Sequence, residues 1–157
     1  MCYSLDMGKV LLTPYYLIAA ALIGVGDTLY LSYYKYLGLV PTCAILHGCD
    51  QVLTSAYATV YGVPLAYIGF VFYVYMLVLV LLLAIDPRSP ALRWGVMAYT
   101  TIGLLCSIRF ETLQLFSIGA LCIYCATSAL TALVLFALSV WHVRASSSMS
   151  RPAYTAE

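Results

Sequence analysis

"PLAYIGFVFYVYMLVLVLLLAI", residues 64–85, contains no charged side chain, and its one proline stands at the first position. A helix rises about 1.5 Å per residue and the hydrocarbon core of a bilayer is roughly 30 Å thick, so about 20 apolar residues make one crossing. This run is one crossing. The uncharged region extends back to Gln51, too long for a single span, and Gly62 and Pro64 in "YGVPLA" divide it by breaking helical continuity. The pattern predicts a short helix over about 51–59 and a span over 64–85. The rest of the chain has the same solvent: of 157 residues, 64% are hydrophobic and 8% charged, with a mean hydropathy of +0.99. Soluble domains run near roughly 45–50% apolar and about 25% charged. A formal net charge of +1 gives no field that would select nucleic acid or an acidic substrate.

Three further runs read as spans. The first covers Pro14–Tyr36, with Pro14 suited to a first helical turn because its missing N–H would be unpaired there. That run is as long as a crossing and lacks a convincing small-residue cleavage site before a soluble domain, so it reads as a retained helix rather than a signal peptide. "DPRSP", residues 86–90, is a tight polar turn. The next span, over about 92–113, must pass Arg109, because the uncharged part from Trp94 to Ile108 is only about 15 residues, short of a full crossing. Arg109 can snorkel from there to the interface. A turn near Phe116–Gly119 leads into the last span, over 118–141, and the polar tail "RASSSMSRPAYTAE" frays. The expected architecture is a single all-α integral membrane domain, a four-transmembrane-helix bundle with a cysteine loop and a short outer half-helix over 37–63.

Orientation follows from the seven Lys and Arg residues. Lys9, Arg88, Arg93, Arg144 and Arg151 fall on the side shared by both termini, leaving Lys35 and Arg109 on the other. The positive-inside rule puts the termini in the cytoplasm of a multi-pass cell-membrane protein. The 37–63 segment and the turn before Cys122 then face outward.

Six cysteines are present. Cys2 and Cys106 read as inert thiols, since free cysteine often behaves as a small hydrophobe. The other four converge on the outer side: Cys43 and Cys49 in "PTCAILHGCD", and Cys122 and Cys125 in "GALCIYCATSAL". Packing alone would explain the CxxC pair but not a second pair beside it. A four-cysteine zinc site is a second alternative, disfavoured because thiolates would stand at the edge of lipid with no basic residue adjacent. A static Cys43–Cys49 disulfide is a third, and it leaves the CxxC unexplained. A thiol–disulfide relay uses all four: exchange proceeds by thiolate attack through a mixed disulfide, and a CxxC near a helix N-terminus lowers a thiol pKa. An electron acceptor reached from within lipid should be lipophilic, which points to a quinone.

"CAILHGCDQVLTSAYATVYGVPLAYIGFVFY" and "LQLFSIGALCIYCATSAL" closely resemble the vitamin K epoxide reductase family, in its prokaryotic branch, over roughly residues 14–142. The two-cysteine loop, the serine six residues past the second cysteine, the Gly-x-Pro-Leu at the second span and the late CxxC occur in the family's order. The resemblance implies a four-helix bundle around a quinone (ubiquinone, menaquinone or related), lidded by the half-helix, with no metal. It implies that Cys43 exchanges with a thioredoxin-like partner, that Cys49 passes electrons to Cys122, and that Cys125 faces the quinone. Leu53, Ser55, Leu65, Ile68, Phe72, Leu121 and Ala129 become the quinone-binding residues. Ser55 matches a family serine that helps position the cysteine loop or the substrate; a helical serine bonding its own backbone is the alternative.

Two departures bear on the chemistry. Animal members carry an asparagine and a tyrosine that reach the naphthoquinone oxygens, and Leu65 and Ala129 stand at those positions, which weakens an epoxide-reductase reading. Many bacterial members also carry a fused thioredoxin-like domain after the fourth helix; here the partner is expected to be a separate disulfide-oxidase protein. Asp27 should lie about 13 Å below the outer end of its span at about 1.5 Å per residue. Polar groups in a membrane are costly and usually paired, so Asp27 is expected to pair with Arg109 or to bond a neighbouring hydroxyl, in a structural or a proton-delivering role. His47 can assist thiolate formation or be a solvated loop residue. The expected function is a membrane thiol oxidoreductase that oxidises a thioredoxin-like protein and reduces a quinone, supporting disulfide formation. The alternatives are a vitamin K-type quinone or epoxide reductase and a non-enzymatic scaffold with a structural outer disulfide.

Overall fold

A computed structural model describes residues 3–43, 48–87 and 89–149; Cys2, His47, Arg88 and Arg151 lie outside the described residues. In chain order the helices are α1 (Tyr3–Tyr36), α2 (Cys49–Thr54), α3 (Leu65–Ile85), α4 (Pro90–Leu113) and α5 (Ile123–Met149). All but α2 contain a stretch long and apolar enough to cross a bilayer, and the chain is an all-α membrane bundle. Pro90 opens α4 at a position where its missing N–H costs nothing. α1 packs against α3 and α5, and α4 closes the ring against α5 and α3. Large side chains such as Val71, Val74, Val78 and Leu82 of α3 remain exposed, as a lipid-facing surface requires.

The main core lies in the half of the bundle away from the cysteines, where Leu17 and Ala21 of α1 meet Tyr73, Met76, Val80 and Leu83 of α3, with Val96 and Leu135. Helices in lipid associate through close contact at small residues rather than through water exclusion. α1 supplies Ala20, Ala21 and Gly24 along the face that receives α3. A Cβ at Gly24 would run into the Tyr73 ring, and Tyr73 is pinned by its hydroxyl, which donates to the Ser128 carbonyl at 2.8 Å. Gly24→Ala is therefore expected to lose about 1–3 kcal/mol by overpacking, read as a lowered Tm in detergent. Gly26→Ala, which meets nothing within 4 Å, is the neutral control.

Several boundaries differ from the sequence expectation. Pro14 lies inside α1 rather than in its first turn; a proline removes one helical hydrogen bond, and "VLLT" before it holds no second breaker. The half-helix is shorter than 51–59. It ends where Ser55 turns extended, at ψ 160°, and a single 3-10 turn over Ala56–Ala58 follows. A two-residue antiparallel hairpin comes next, β1 (Thr59–Val60) and β2 (Val63–Pro64). Its loop residues Tyr61 and Gly62 both have positive φ, 51° and 82°, the twist that suits a two-residue hairpin. The last span starts at Ile123 rather than 118. α4 runs on through a π-helical turn, Gln114–Ile118, and stops at Gly119 in the left-handed conformation, φ 71°, which glycine adopts without a Cβ clash.

Candidate functional site

Cys43 lies in the segment between α1 and α2, and Cys49 opens α2. They are joined as a disulfide with Cα atoms 5.9 Å apart, inside the usual range for such bridges. Cys43 is half-buried, whereas Cys49 is 1% exposed and Cys122 fully buried. The sulfurs of Cys49 and Cys122 stand 3.6 Å apart. Val52, Leu53, Ile118, Ala120, Ile123 and Tyr124 pack around them, so this contact is dry.

Cys122 immediately precedes α5 and Cys125 lies in its first turn. Both are free thiols. A hydrogen bond from Cys125 is the largest influence on Cys122 and holds its thiol below the ordinary pKa, against the opposing effect of burial. The structure therefore sets the loop disulfide against the inner thiol pair. Among the described residues no group of three or more His, Cys, Asp or Glu side chains is arranged to hold a metal.

Beyond Cys122 a cavity of about 520 Å³ opens between the half-helix and the bundle, a size typical of small-molecule sites. Cys125 lines it, together with Leu53, Ser55, Leu65, Ile68, Phe72 and Ala129. Leu121 does not; its backbone instead packs against Gly48. The Ser55 hydroxyl donates to the Val52 carbonyl at 2.8 Å, so it bonds its own half-helix. Leu65 and Ala129 bring no polar side-chain atom to the wall. Cys106, read as inert from the sequence, also faces the cavity.

Asp27 lines the cavity from α1. It pairs with neither Arg109 nor a hydroxyl, because its Oδ2 is buried without a hydrogen-bond partner. Arg109 is exposed and outside the cavity wall, since it projects from a different face of α4 than Glu111. Glu111 and Gln114 are lining residues that the sequence reading did not single out. A lone side-chain amide within residues 112–143 was the signal for the second.

The family model for vitamin K epoxide reductases matches residues 15–140. A thiol-disulfide oxidoreductase of Arabidopsis thaliana, LTO1, is 36% identical over 129 residues, covering 75% of this chain and 33% of the plant protein. The chain thus spans about a third of the length of this curated relative.

Proposed function

The chain belongs to the vitamin K epoxide reductase family, and from that premise we propose that it is a membrane thiol oxidoreductase that carries electrons from a separate thioredoxin-like protein through two cysteine pairs to a quinone. The observation that carries this reading is the 3.6 Å contact between Cys49 and Cys122. It brings the loop disulfide against the inner pair, whose other member, Cys125, lines the cavity.

The partner's thiolate attacks Cys43 of the loop disulfide, the loop sulfur that is not fully buried. The partner's second thiol resolves that mixed disulfide, leaving Cys43 and Cys49 reduced by two electrons. With Cys122 and Cys125 joined, the Cys49 thiolate attacks the Cys122 sulfur and Cys125 departs as a thiolate. Cys43 then attacks Cys49, re-forms the loop disulfide and releases Cys122, whose lowered pKa makes it a good leaving group. The cycle thus ends with the loop disulfide restored and the inner pair reduced, ready to pass its electrons on.

The cavity suits a quinone by volume, by its apolar walls and by the Asp27 carboxyl that lines it. A quinone bound there supplies a sink for two electrons and two protons. Cys125 is the residue of the inner pair that meets the cavity, and Asp27 is the group we assign to proton delivery. Arg109 keeps an interfacial role. Leu65 and Ala129 offer no hydrogen bond to an epoxide or naphthoquinone oxygen, which favours disulfide formation over vitamin K chemistry. Both termini are assigned to the cytoplasm and the cysteine loop to the outer face, on the bias of Lys and Arg.

Anaerobic mixing of the purified protein with a reduced thioredoxin-like protein and a quinone tests the reading. Quinone absorbance is expected to fall only when all three are present. Quinone loss independent of the partner, or none at all, refutes it.

A further inference from the structure

Gln114 is 3% exposed, and both ends of its side-chain amide are used. Oε1 accepts the backbone N–H of Cys122 at 3.0 Å. Nε2 donates to Oε1 of Glu111 at 3.3 Å. An N–H needs an acceptor and a carboxylate oxygen needs a donor, so the two partners dictate which way the amide points. The Gln114 carbonyl also accepts the N–H groups of Gly119 at 2.9 Å and Ala120 at 3.3 Å. Residues 119–122, the segment that delivers Cys122, therefore hang from one residue at the end of α4.

Gly48 abuts the other side of that segment. A Cβ there would lie 2.8 Å from the Leu121 carbonyl oxygen and 2.9 Å from the Ala120 Cβ, closer than real Cβ contacts allow. The neighbours of these touching residues are Cys49 and Cys122. The sulfur contact is thus set by two backbone segments pressed together, one of them suspended from Gln114. A helix end needs only its backbone to stop at Gly119, whereas the Gln114 side chain reaches eight residues ahead to the thiol-bearing residue.

We propose that Gln114, anchored by Glu111, is a positioning residue of the thiol relay that holds Cys122 against Cys49. The proposal rests on the relay reading above, and its role is confined to the Cys49–Cys122 exchange. In that step the Cys49 thiolate forms a bond to the Cys122 sulfur while the Cys122–Cys125 bond breaks. Cys125 leaves with the electron pair and takes a proton from solvent, so no net oxidation occurs.

The test uses the full chain in detergent with Cys43→Ser, reduced and then given a limiting pulse of diamide to oxidise the inner pair. The Cys49–Cys122 and Cys122–Cys125 bonds are followed separately by proteolysis and mass spectrometry. Gln114→Leu, matched in size but without polar atoms, is expected to slow Cys49–Cys122 formation about 10- to 100-fold, the range for a misplacement near 1 Å. Formation of Cys122–Cys125 by diamide should stay within about twofold of the parent, since that pair sits within one helical turn. Gln114→Glu keeps an acceptor for the Cys122 N–H and is expected to recover exchange to within about threefold of the parent. Equal exchange in the parent and Gln114→Leu overturns the proposal. If the parent itself forms no Cys49–Cys122 bond, the relay reading fails and takes the proposal with it. Should Gln114→Leu not fold, Glu111→Ala decides: it removes the anchor, and exchange at the parent rate overturns the proposal.

Discussion

Cys43→Ser is expected to stop partner-driven turnover, by a factor on the order of 10³ or more as for loss of a covalent nucleophile, and to leave a Cys49–Cys122 mixed disulfide as the main oxidised species. Cys43 is the sulfur bonded to Cys49 and the one positioned to resolve that intermediate from the loop side. With serine there, Cys49 can still attack the Cys122–Cys125 bond across the 3.6 Å contact, but nothing displaces Cys122 afterwards except Cys125, which only reverses the step. In the unmodified chain, resolution releases Cys122 as a thiolate. Its lowered pKa keeps that release efficient at a lower pH than an ordinary thiol leaving group would allow. Non-reducing peptide mapping of the variant reads the species directly, and quinone absorbance reads the turnover. A static loop disulfide predicts the opposite pattern: undiminished turnover and a free Cys49. A variant that turns over normally, or that traps Cys43-independent bonds other than Cys49–Cys122, would remove the relay order.

The bundle was legible because the information that specifies it is local. A run such as 65–85 has one solvent in which it is stable, and length against bilayer thickness then counts the crossings. The cysteine pairs were legible as pairs, since four thiols brought to one end of such a bundle have few inert explanations. What stayed hidden depends on contacts between segments. Nothing in "FETLQLFSIGALC" says that α4 widens into a π turn at Gln114 and that its side chain then reaches forward to Cys122; that partner of the amide exists only once Gly119 has reversed the chain. Gly48 reads from sequence as loop glycine, yet its missing Cβ is what allows the Leu121 backbone so close. The hairpin at Tyr61–Gly62 was concealed because the signal that divided residues 51–85, a glycine and a proline, marks a break without naming the structure that fills it. Arg109 shows the converse. Sequence distance put it in the same half of the bilayer as Asp27, but helical phase turned it outward.

Asp27→Asn is expected to lower quinone-dependent turnover about 10²- to 10⁴-fold, the usual worth of a positioned general acid or base, while leaving thiol exchange into the inner pair intact. A carboxyl kept for structure inside a membrane would be paired, and Asp27 has Oδ2 buried against no partner while its side chain lines the cavity that Cys125 also lines. Such a group costs stability where it stands, so Asp27→Leu is expected to raise Tm in detergent even as it abolishes turnover. That combination, gained stability with lost activity, is the signature of a polar group retained for chemistry. Asparagine preserves shape and an acceptor but carries no exchangeable acid, which separates proton delivery from cavity geometry. Stopped-flow reduction of the Cys122–Cys125 pair by excess partner should proceed at the parent rate in Asp27→Asn, with only the following absorbance change of the quinone slowed. If Asp27→Asn instead reduces quinone at full rate with an unchanged pH profile, the protons come by another path. Glu111, the other carboxyl lining the cavity among the described residues, then becomes the donor to test.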